Sequence, residues 1–326
     1  MHHLGLALTG LLAALALLTA TPACLAADQE KIPVVLDTDI GDDIDDTWAL
    51  IMLLKSPQFA VKLVTTTYGK SEYRAKLLAK LLTVAGRTDV AVGLGAGGRE
   101  GVANQAAWVK EYRLSDYRGK VHEDGVAALV DTINRSSQPM TVIAVGPLNT
   151  VAAALDRDPQ IAGKASFVGM HGSVRKGYGG GPVSAEWNVK AVPAACKRVL
   201  SAPWRQISIT PLDTCGLVNL AGPRFQKLAA SQDPLVQVLL ENYRIWAKKD
   251  QLNQLTASSV LFDTAAVYLA FPNQRPLMKL ETLSITVTDD GFTRIDPAGR
   301  PMVVATEWQD LDGYRDLLVK ILTEPN

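Results

Sequence analysis

Apolar and polar positions along this chain fall into short blocks that alternate between two periods. "IPVVLD" (Ile32 to Asp37) is a β-branched run that ends on polar residues, the pattern of a strand buried on both faces. "TWALIMLLKS" follows as a helix stopped by Pro57, and "FAVKLVTTTYG" as the next strand. "SEYRAKLLAKLLTVAG" places Ala75, Leu78, Ala79 and Leu82 on one helical face, with Gly86 just past the end. The alternation continues through the strand "DVAVGLG", the helix "DGVAALVDTINRS", the strand "MTVIAVG", the helix "NTVAAALDRD" and the strand "ASFVGMHGS". A Gly-rich loop, "RKGYGGGPVSAEWN", precedes the helix "PAACKRVLSA" and the strand "RQISITPLD". Near the end the pattern changes. "ETLSITVTDDGFTRID" and "RPMVVATEWQD" read as a β-hairpin with Gly291 at or near its turn, and "YRDLLVKIL" as a closing helix.

Strands alternating with helices at this spacing predict an α/β fold: an open, mostly parallel, Rossmann-like sheet flanked by helices, with a C-terminal β-hairpin. Ligands of such sheets bind beyond the carboxyl ends of the strands. At those ends stand the aspartates after the first strand, "TTYGKS", "GPLN", and "HGS" with the Gly-rich loop and "AEWN". These segments are expected to converge on one rim.

Composition narrows the partners. The 326 residues are 48% hydrophobic, enough for a large core, and 33 basic residues balance 33 acidic ones. No excess of positive charge invites nucleic acid or an anionic membrane surface. Leu4 to Ala20 is apolar and leads into "TPACLAADQE", the pattern of a signal peptide over residues 1–26 cut before Ala27. The expectation is an exported, periplasmic or secreted chain with one mature domain, 27–326, and no stable membrane association. Cys196 and Cys215 then read as two buried thiols, although an exported protein also permits their pairing. Their spacing matches no zinc site, and a mature chain with only His122 and His171 offers no histidine-rich metal centre.

The chemistry concentrates in "VVLDTDIGDDIDDTWAL", where Asp37, Asp39, Asp42, Asp43, Asp45 and Asp46 lie between a strand and a helix. Two carboxylates about 4 Å apart repel by roughly 4 kcal/mol at an effective dielectric near 20. Several at one strand end must protonate, splay into water or hold a cation, and oxygen-only donors suit Ca²⁺ or Mg²⁺. Asp42 or Asp43 is alternatively a cap for the following helix.

"DTDIGDDIDDTWAL" resembles the N-terminal signature of the nucleoside hydrolases, commonly DxDPGxDDAxA. Further resemblances follow in order: "IAVGPLNTVAAAL", "VGMHGS" against an MGG turn, "SAEWNVKAVPAA" against AEFNxxxDPEAA, "LDTCG", and "LFDTAAVYLAFP" against HDPxAVAxxxxP. The resemblance implies Ca²⁺-dependent hydrolysis of a nucleoside N-glycosidic bond to free base and ribose, in a homodimer or homotetramer. It implies Asp39 as Ca²⁺ ligand and as the base that takes a proton from water. Asp46, Asp263 and the carbonyl of Val145 would be further ligands. Asp45, Met170, Glu186 and Asn188 would bind the sugar.

The sequence departs from the pattern at several points. The aspartate stretch is two residues longer than the common form, so Asp43 competes with Asp45–Asp46 for the paired position; the Ala49 context favours the latter. Lys70 replaces a sugar-binding Asn, and reads either as a surface lysine or as a partner for an anionic group. Gly180 stands near where an Asn would meet the ribose, with Arg175, Lys176 or Tyr178 as substitutes. Phe262 replaces a proton-donating His; His171, Tyr243 or a water would then serve the leaving base. Tyr243 and Trp246 read as base-stacking or as core. "GLGAGG" matches G-x-G-x-x-G, but its context is wrong for a dinucleotide. Two rivals stand beside nucleoside hydrolysis: a non-catalytic nucleoside- or sugar-binding relative, and a hydrolase of another glycoside.

Overall fold

The first strand lies in the interior of the sheet, with a parallel neighbour on each side. The computed structural model describes residues 1–2, 30–272 and 277–324. Its strands are β1 (Ile32–Thr38), β2 (Phe59–Thr66), β3 (Ala91–Gly93), β4 (Val121–His122), β5 (Met140–Ala144), β6 (Ala165–Gly169), β7 (Ile207–Ile209), β8 (Met278–Val287), β9 (Thr293–Ile295) and β10 (Arg300–Trp308). Among the described residues they form one 10-stranded sheet in the order β4-β3-β2-β1-β5-β6-β7-β10-β8-β9. From β4 to β10 every neighbouring pair is parallel. β8 runs antiparallel to both β10 and β9.

The helices are α1 (Asp45–Leu54), α2 (Ser71–Val84), α3 (Gly125–Arg135), α4 (Asn149–Arg157), α5 (Ile161–Lys164), α6 (Trp187–Lys190), α7 (Pro193–Leu200), α8 (Gly222–Ala229), α9 (Pro234–Trp246), α10 (Phe262–Leu269) and α11 (Leu311–Thr323). Successive residues of β1 serve opposite layers, as the period of two requires. Val34 and Leu36 pack with Leu50, Leu78, Leu239, Ala266 and Leu318 of α1, α2, α9, α10 and α11. Val35 packs with Leu129, Val151 and Val199 of α3, α4 and α7. The described residues from Lys31 onward pack as one compact unit.

The α/β architecture matches the sequence pattern, with two refinements. The expected hairpin is a three-strand arrangement: β8 turns through Gly291 (φ +84°) into the short β9, and β10 then returns along the other side of β8. The helix α10 carries no amphipathic signal, because Asp263 through Leu269 are all buried and no polar face exists. Gly86 lies past the end of α2 with φ +66°, and the amides of Gly86 and Arg87 close on the carbonyls of Thr83 and Leu82. Cys196 and Cys215 are both free and buried. Residues 3–29, which carry most of the expected targeting segment and Cys24, lie outside the described residues. Among the described residues no helix is long and apolar enough to cross a membrane.

The topology sets the place for a site. The chain builds β1 to β4 outward on one side, then returns to lay β5 on the other side of β1. Loops leaving the carboxyl ends of β1 and β5 therefore diverge and leave a crevice between them.

Candidate active site

A cavity of about 440 Å³ occupies that crevice, lined by Asp39, Asp42, Asp43, Asp45, Asp46, Val102, Val145, Met170, Tyr178, Glu186, Trp187, Asn188, Phe262 and Asp263. All eight residues assigned to a site from the sequence, Asp39, Asp45, Asp46, Val145, Met170, Glu186, Asn188 and Asp263, thus face one hollow. Of the six clustered aspartates, only Asp37 points elsewhere. It is fully buried in β1, accepts a bond from Thr65 Oγ1 at 2.6 Å, and leaves Oδ2 unpartnered. Burial pushes its carboxyl well above the usual range.

The floor is made of carboxylates. Asp45 and Asp46 open α1, where the positive end of the helix dipole favours them. Asp263 comes from the first turn of α10. One oxygen from each of these three lies within 4.8 Å of the others. Asp46 Oδ1 takes the hydroxyl of Thr38, and Asp45 Oδ2 takes the Asp263 amide at 3.3 Å. Among the described residues, no ion pair involves Asp39, Asp45, Asp46 or Asp263. Burial, then mutual repulsion, raises the carboxyls of Asp45, Asp46 and Asp263 well above their ordinary range. Burial also raises Asp39 to about 6, with the nearby guanidinium of Arg74 pulling the other way.

This arrangement fits a divalent cation. The donors are hard oxygens, they converge, and among the described residues no positive side chain forms an ion pair with them. The carbonyl of Val145, a residue that lines the same cavity, is a hard oxygen of the same kind. It takes one bond from Asn188 Nδ2 at 2.9 Å, and a carbonyl oxygen has a second lone pair. Asp45 enters the closest carboxylate triad, where the sequence reading placed it only against the sugar. Asp39 lines the same cavity but stands outside that triad.

The longer aspartate loop is held by its carbonyls. Arg74, fully buried, donates to the carbonyls of Asp39 and Ile40, the latter at 2.8 Å. Tyr73 Oη reaches the Gly41 carbonyl at 3.1 Å. Asn104 Nδ2 and Trp246 Nε1 reach that of Asp42 at 2.8 and 3.1 Å. Neither Asp42 nor Asp43 caps α1. Its N-cap is Ile44 with no side-chain cap, and Asp43 Oδ1 instead accepts the Ile44 amide at 2.6 Å.

On the wall, Glu186 accepts the amides of Gly172, Asn188 and Val189 at 3.0, 2.7 and 3.3 Å, and so caps α6. Burial outweighs these bonds and lifts its carboxyl to about 7. Asn188 Nδ2 also reaches the Met170 carbonyl at 3.1 Å.

The mouth is aromatic. The Phe262 ring meets Tyr178 edge-on, centroids 5.8 Å apart, and Trp187 meets Tyr68 in the same way at 6.2 Å. Burial, then nearby carboxylates, lifts the Tyr178 phenol to about 12. Val102 and Trp187 were not singled out from the sequence. Trp187 sits between Glu186 and Asn188, the one available hint, whereas Val102 lies in an irregular stretch without pattern.

Other candidates fall away from the cavity. His171 is fully buried behind it, and so cannot meet a leaving base. Tyr243 is core: it packs edge-on against Trp48 and bonds the Ala257 carbonyl at 2.9 Å. Trp246 braces the aspartate loop rather than stacking on a ligand. Lys70 lines a separate surface hollow with Glu72, Lys76 and Arg99. Arg175 pairs with Glu281, and of the three substitutes considered beside Gly180 only Tyr178 reaches the cavity.

Comparison with known proteins agrees with this geometry. Residues 34–317 match the family described as inosine-uridine preferring nucleoside hydrolase. The pyrimidine-specific ribonucleoside hydrolase RihA of Enterobacter sp. (strain 638) is 27% identical over 229 residues, 64% of this chain and 69% of that protein. The protein of the same name from Salmonella agona (strain SL483) is 25% identical over 228 residues, 64% and 70% of the two chains. Among solved structures, the plant nucleoside hydrolase PpNRh1 aligns with a TM-score of 0.76 at 24% identity, covering 90% of this chain and 99% of that one. The inosine-uridine preferring nucleoside hydrolase from Bacillus anthracis gives 0.71 at 21%, with 90% and 99% covered. At such identities the structures establish the shared fold.

Proposed function

The chain belongs to the inosine-uridine preferring nucleoside hydrolase family, and from that premise we propose that it is a Ca²⁺-dependent ribonucleoside hydrolase that releases free base and ribose. Its assignment as a hydrolase of glycosidic bonds rests on the family itself. The observation that carries the finer reading is the converging triad of Asp45, Asp46 and Asp263 beside Asp39, buried and, among the described residues, without an ion-pair partner.

A bound divalent cation supplies positive charge that orients and acidifies a water, and offsets the crowding of the floor. Asp46, Asp263, Asp45 and the Val145 carbonyl would hold it, with Asp39 completing the set. Asp39 takes a proton from the attacking water. The water oxygen bonds to the anomeric carbon as the carbon–nitrogen bond breaks, and that electron pair leaves with the base. Positive charge develops on the sugar in between, and the carboxylates around it stabilise that charge. Asp45 accepts a bond from a ribose hydroxyl. Glu186, its oxygens largely committed to amides, fixes the wall on which Asn188 and Met170 present the sugar pocket.

At the mouth, Phe262 has no proton to give, and Tyr178 and Trp187 offer π-faces. The base is held by stacking and takes its proton from water at the opening. The apolar run before Ala27 supports export of the mature chain. The test is ribose release from a panel of purine and pyrimidine ribonucleosides. Turnover of at least one, abolished in Asp39→Asn, supports the reading. Tight nucleoside binding without ribose release contradicts it and identifies a binding protein.

A further inference from the structure

His171 is the residue that no part of the mechanism above uses. Where the family pattern has a glycine between Met and Gly, this chain places an imidazole. The ring is fully buried at the carboxyl end of β6, and its Nε2 lies 3.1 Å from the Gly146 carbonyl. A carbonyl only accepts, so Nε2 carries the proton, and Nδ1 is a bare lone pair with no hydrogen-bond partner among the described residues. Burial lowers the ring's pKa to about 4, which keeps it neutral at physiological pH.

Gly146 is the turn that closes the site. It follows Val145, which lines the cavity, and it leads from β5 into α4. Its Cα packs so closely on the aspartate loop that a Cβ there would sit 2.6 Å from Asp39 Oδ1 and 2.8 Å from the Asp39 amide. The ring is held from behind as well. A Cβ at Gly169 would meet Nδ1 at 2.4 Å, and the Phe167 ring lies 6.1 Å away. Imidazole, turn and Asp39 thus form a continuous strut from β6 across β5 to the loop after β1.

We infer that His171 is a positioning residue: its Nε2–H bond to Gly146 fixes the turn that presents the Val145 carbonyl and braces Asp39, and so sets cation affinity and turnover without touching substrate. The inference rests on the proposed cation-dependent hydrolysis. Groups behind the immediate ligands of a metal are typically worth about 10- to 100-fold in affinity or activity.

Two amides separate reach from polarity. In His171→Gln the side-chain nitrogen falls near the position of Nε2 and keeps the bond. In His171→Asn the nitrogen falls near Nδ1 and cannot span to Gly146. Calorimetric titration of Ca²⁺ into the chelator-stripped mature protein is paired with ribose-release kinetics and a cation-free thermal melt. His171→Asn is expected to weaken Ca²⁺ binding and lower kcat by about tenfold or more, with KM changed less than about threefold. His171→Gln is expected to stay within about threefold of the parent in all three. Equal Ca²⁺ affinity in the parent and His171→Asn, with only the melt lowered, overturns the inference in favour of a packing role. A parent that binds no cation, or releases no ribose, instead overturns the functional reading on which it rests. If His171→Asn does not fold, His171→Leu takes its place and is judged by the same outcomes.

Discussion

At the floor of the cavity, Asp39, Asp45, Asp46 and Asp263 are 6, 4, 3 and 2% exposed. At its mouth, Val102, Tyr178 and Trp187 are 46, 55 and 49% exposed. The floor rests on an interior strand, a wholly buried helix and a loop whose carbonyls are bonded from Arg74, Tyr73, Asn104 and Trp246. Part of the mouth rests on a glycine-rich turn, where Tyr178 is followed by Gly179 and Gly180 at φ +59° and +82°. The floor concentrates like charge in a site fixed from behind. The mouth spreads π-faces over a segment with few side chains to restrain it. Fixed charge suits the invariant part of a nucleoside, the ribose and the bond to be broken. Stacking faces suit the variable part, since every base has a π-face.

Substitutions test this division in descending order of effect. Asp39→Asn should cut kcat/KM by about 1,000-fold, the scale of losing a general base. A loss below tenfold would place the proton acceptor elsewhere. Asp46→Asn or Asp263→Asn should weaken Ca²⁺ binding by about 100-fold, because affinity at oxygen-ligand sites follows the ligand charge count. The cation-free protein should at the same time become more stable, since one member of a repelling cluster is gone. A lower melting temperature in the chelated variant would contradict the crowding argument.

His171 gives a pH signature from behind the floor. Its folded pKa of about 4 lies below the ordinary value of 6.5. Above pH 6.5 both states are neutral and the residue adds no pH dependence. As pH falls from 6.5 towards 4, the unfolded chain binds a proton that the folded one refuses, and stability is lost. By pH 5 this amounts to about 2 kcal/mol. The gap in urea midpoint between the parent and His171→Gln should therefore shift in favour of the variant between pH 7 and pH 5. An unchanged gap would contradict a buried neutral ring. The mouth carries the smallest effect. Phe262→Ala or Tyr178→Ala should raise KM for ribonucleosides by about 5- to 10-fold, with kcat nearly constant, as expected for a lost aromatic contact. A collapse in kcat instead would assign chemistry to the mouth.

The same division explains what could be read from the chain. Strand runs such as "VVL" and "TVIA", and the acid after the first of them, obey periodicity and Coulomb's law, which are local and visible in a sequence. The aspartates from Asp39 to Asp46 were therefore expected at one rim, whereas Asp263, remote in the chain, was joined to them only by the resemblance of "LFDTAAVYLAFP" to HDPxAVAxxxxP. Asp45 was assigned only to the sugar, because its oxygen joins the triad through the geometry of α1 against α10, a tertiary fact. His171 and Tyr243 were offered as proton donors on residue type alone, and burial removes both from the cavity. Trp187 was missed because the spacing that turns Glu186 and Asn188 into the cavity depends on the short α6, too brief to leave a periodic signal. The helix α10 was hidden for the opposite reason: it is buried on every side, so no solvent-facing polar stripe marks it.

The central claim is that the carboxylate floor acts through a bound cation. Ribose release, followed as Ca²⁺ is added back to chelator-stripped protein, tests it most directly. Stripping is expected to remove nearly all turnover, and activity to return along a saturating curve with the dissociation constant found by calorimetry. Full turnover in the stripped protein, unchanged by added Ca²⁺, would contradict it.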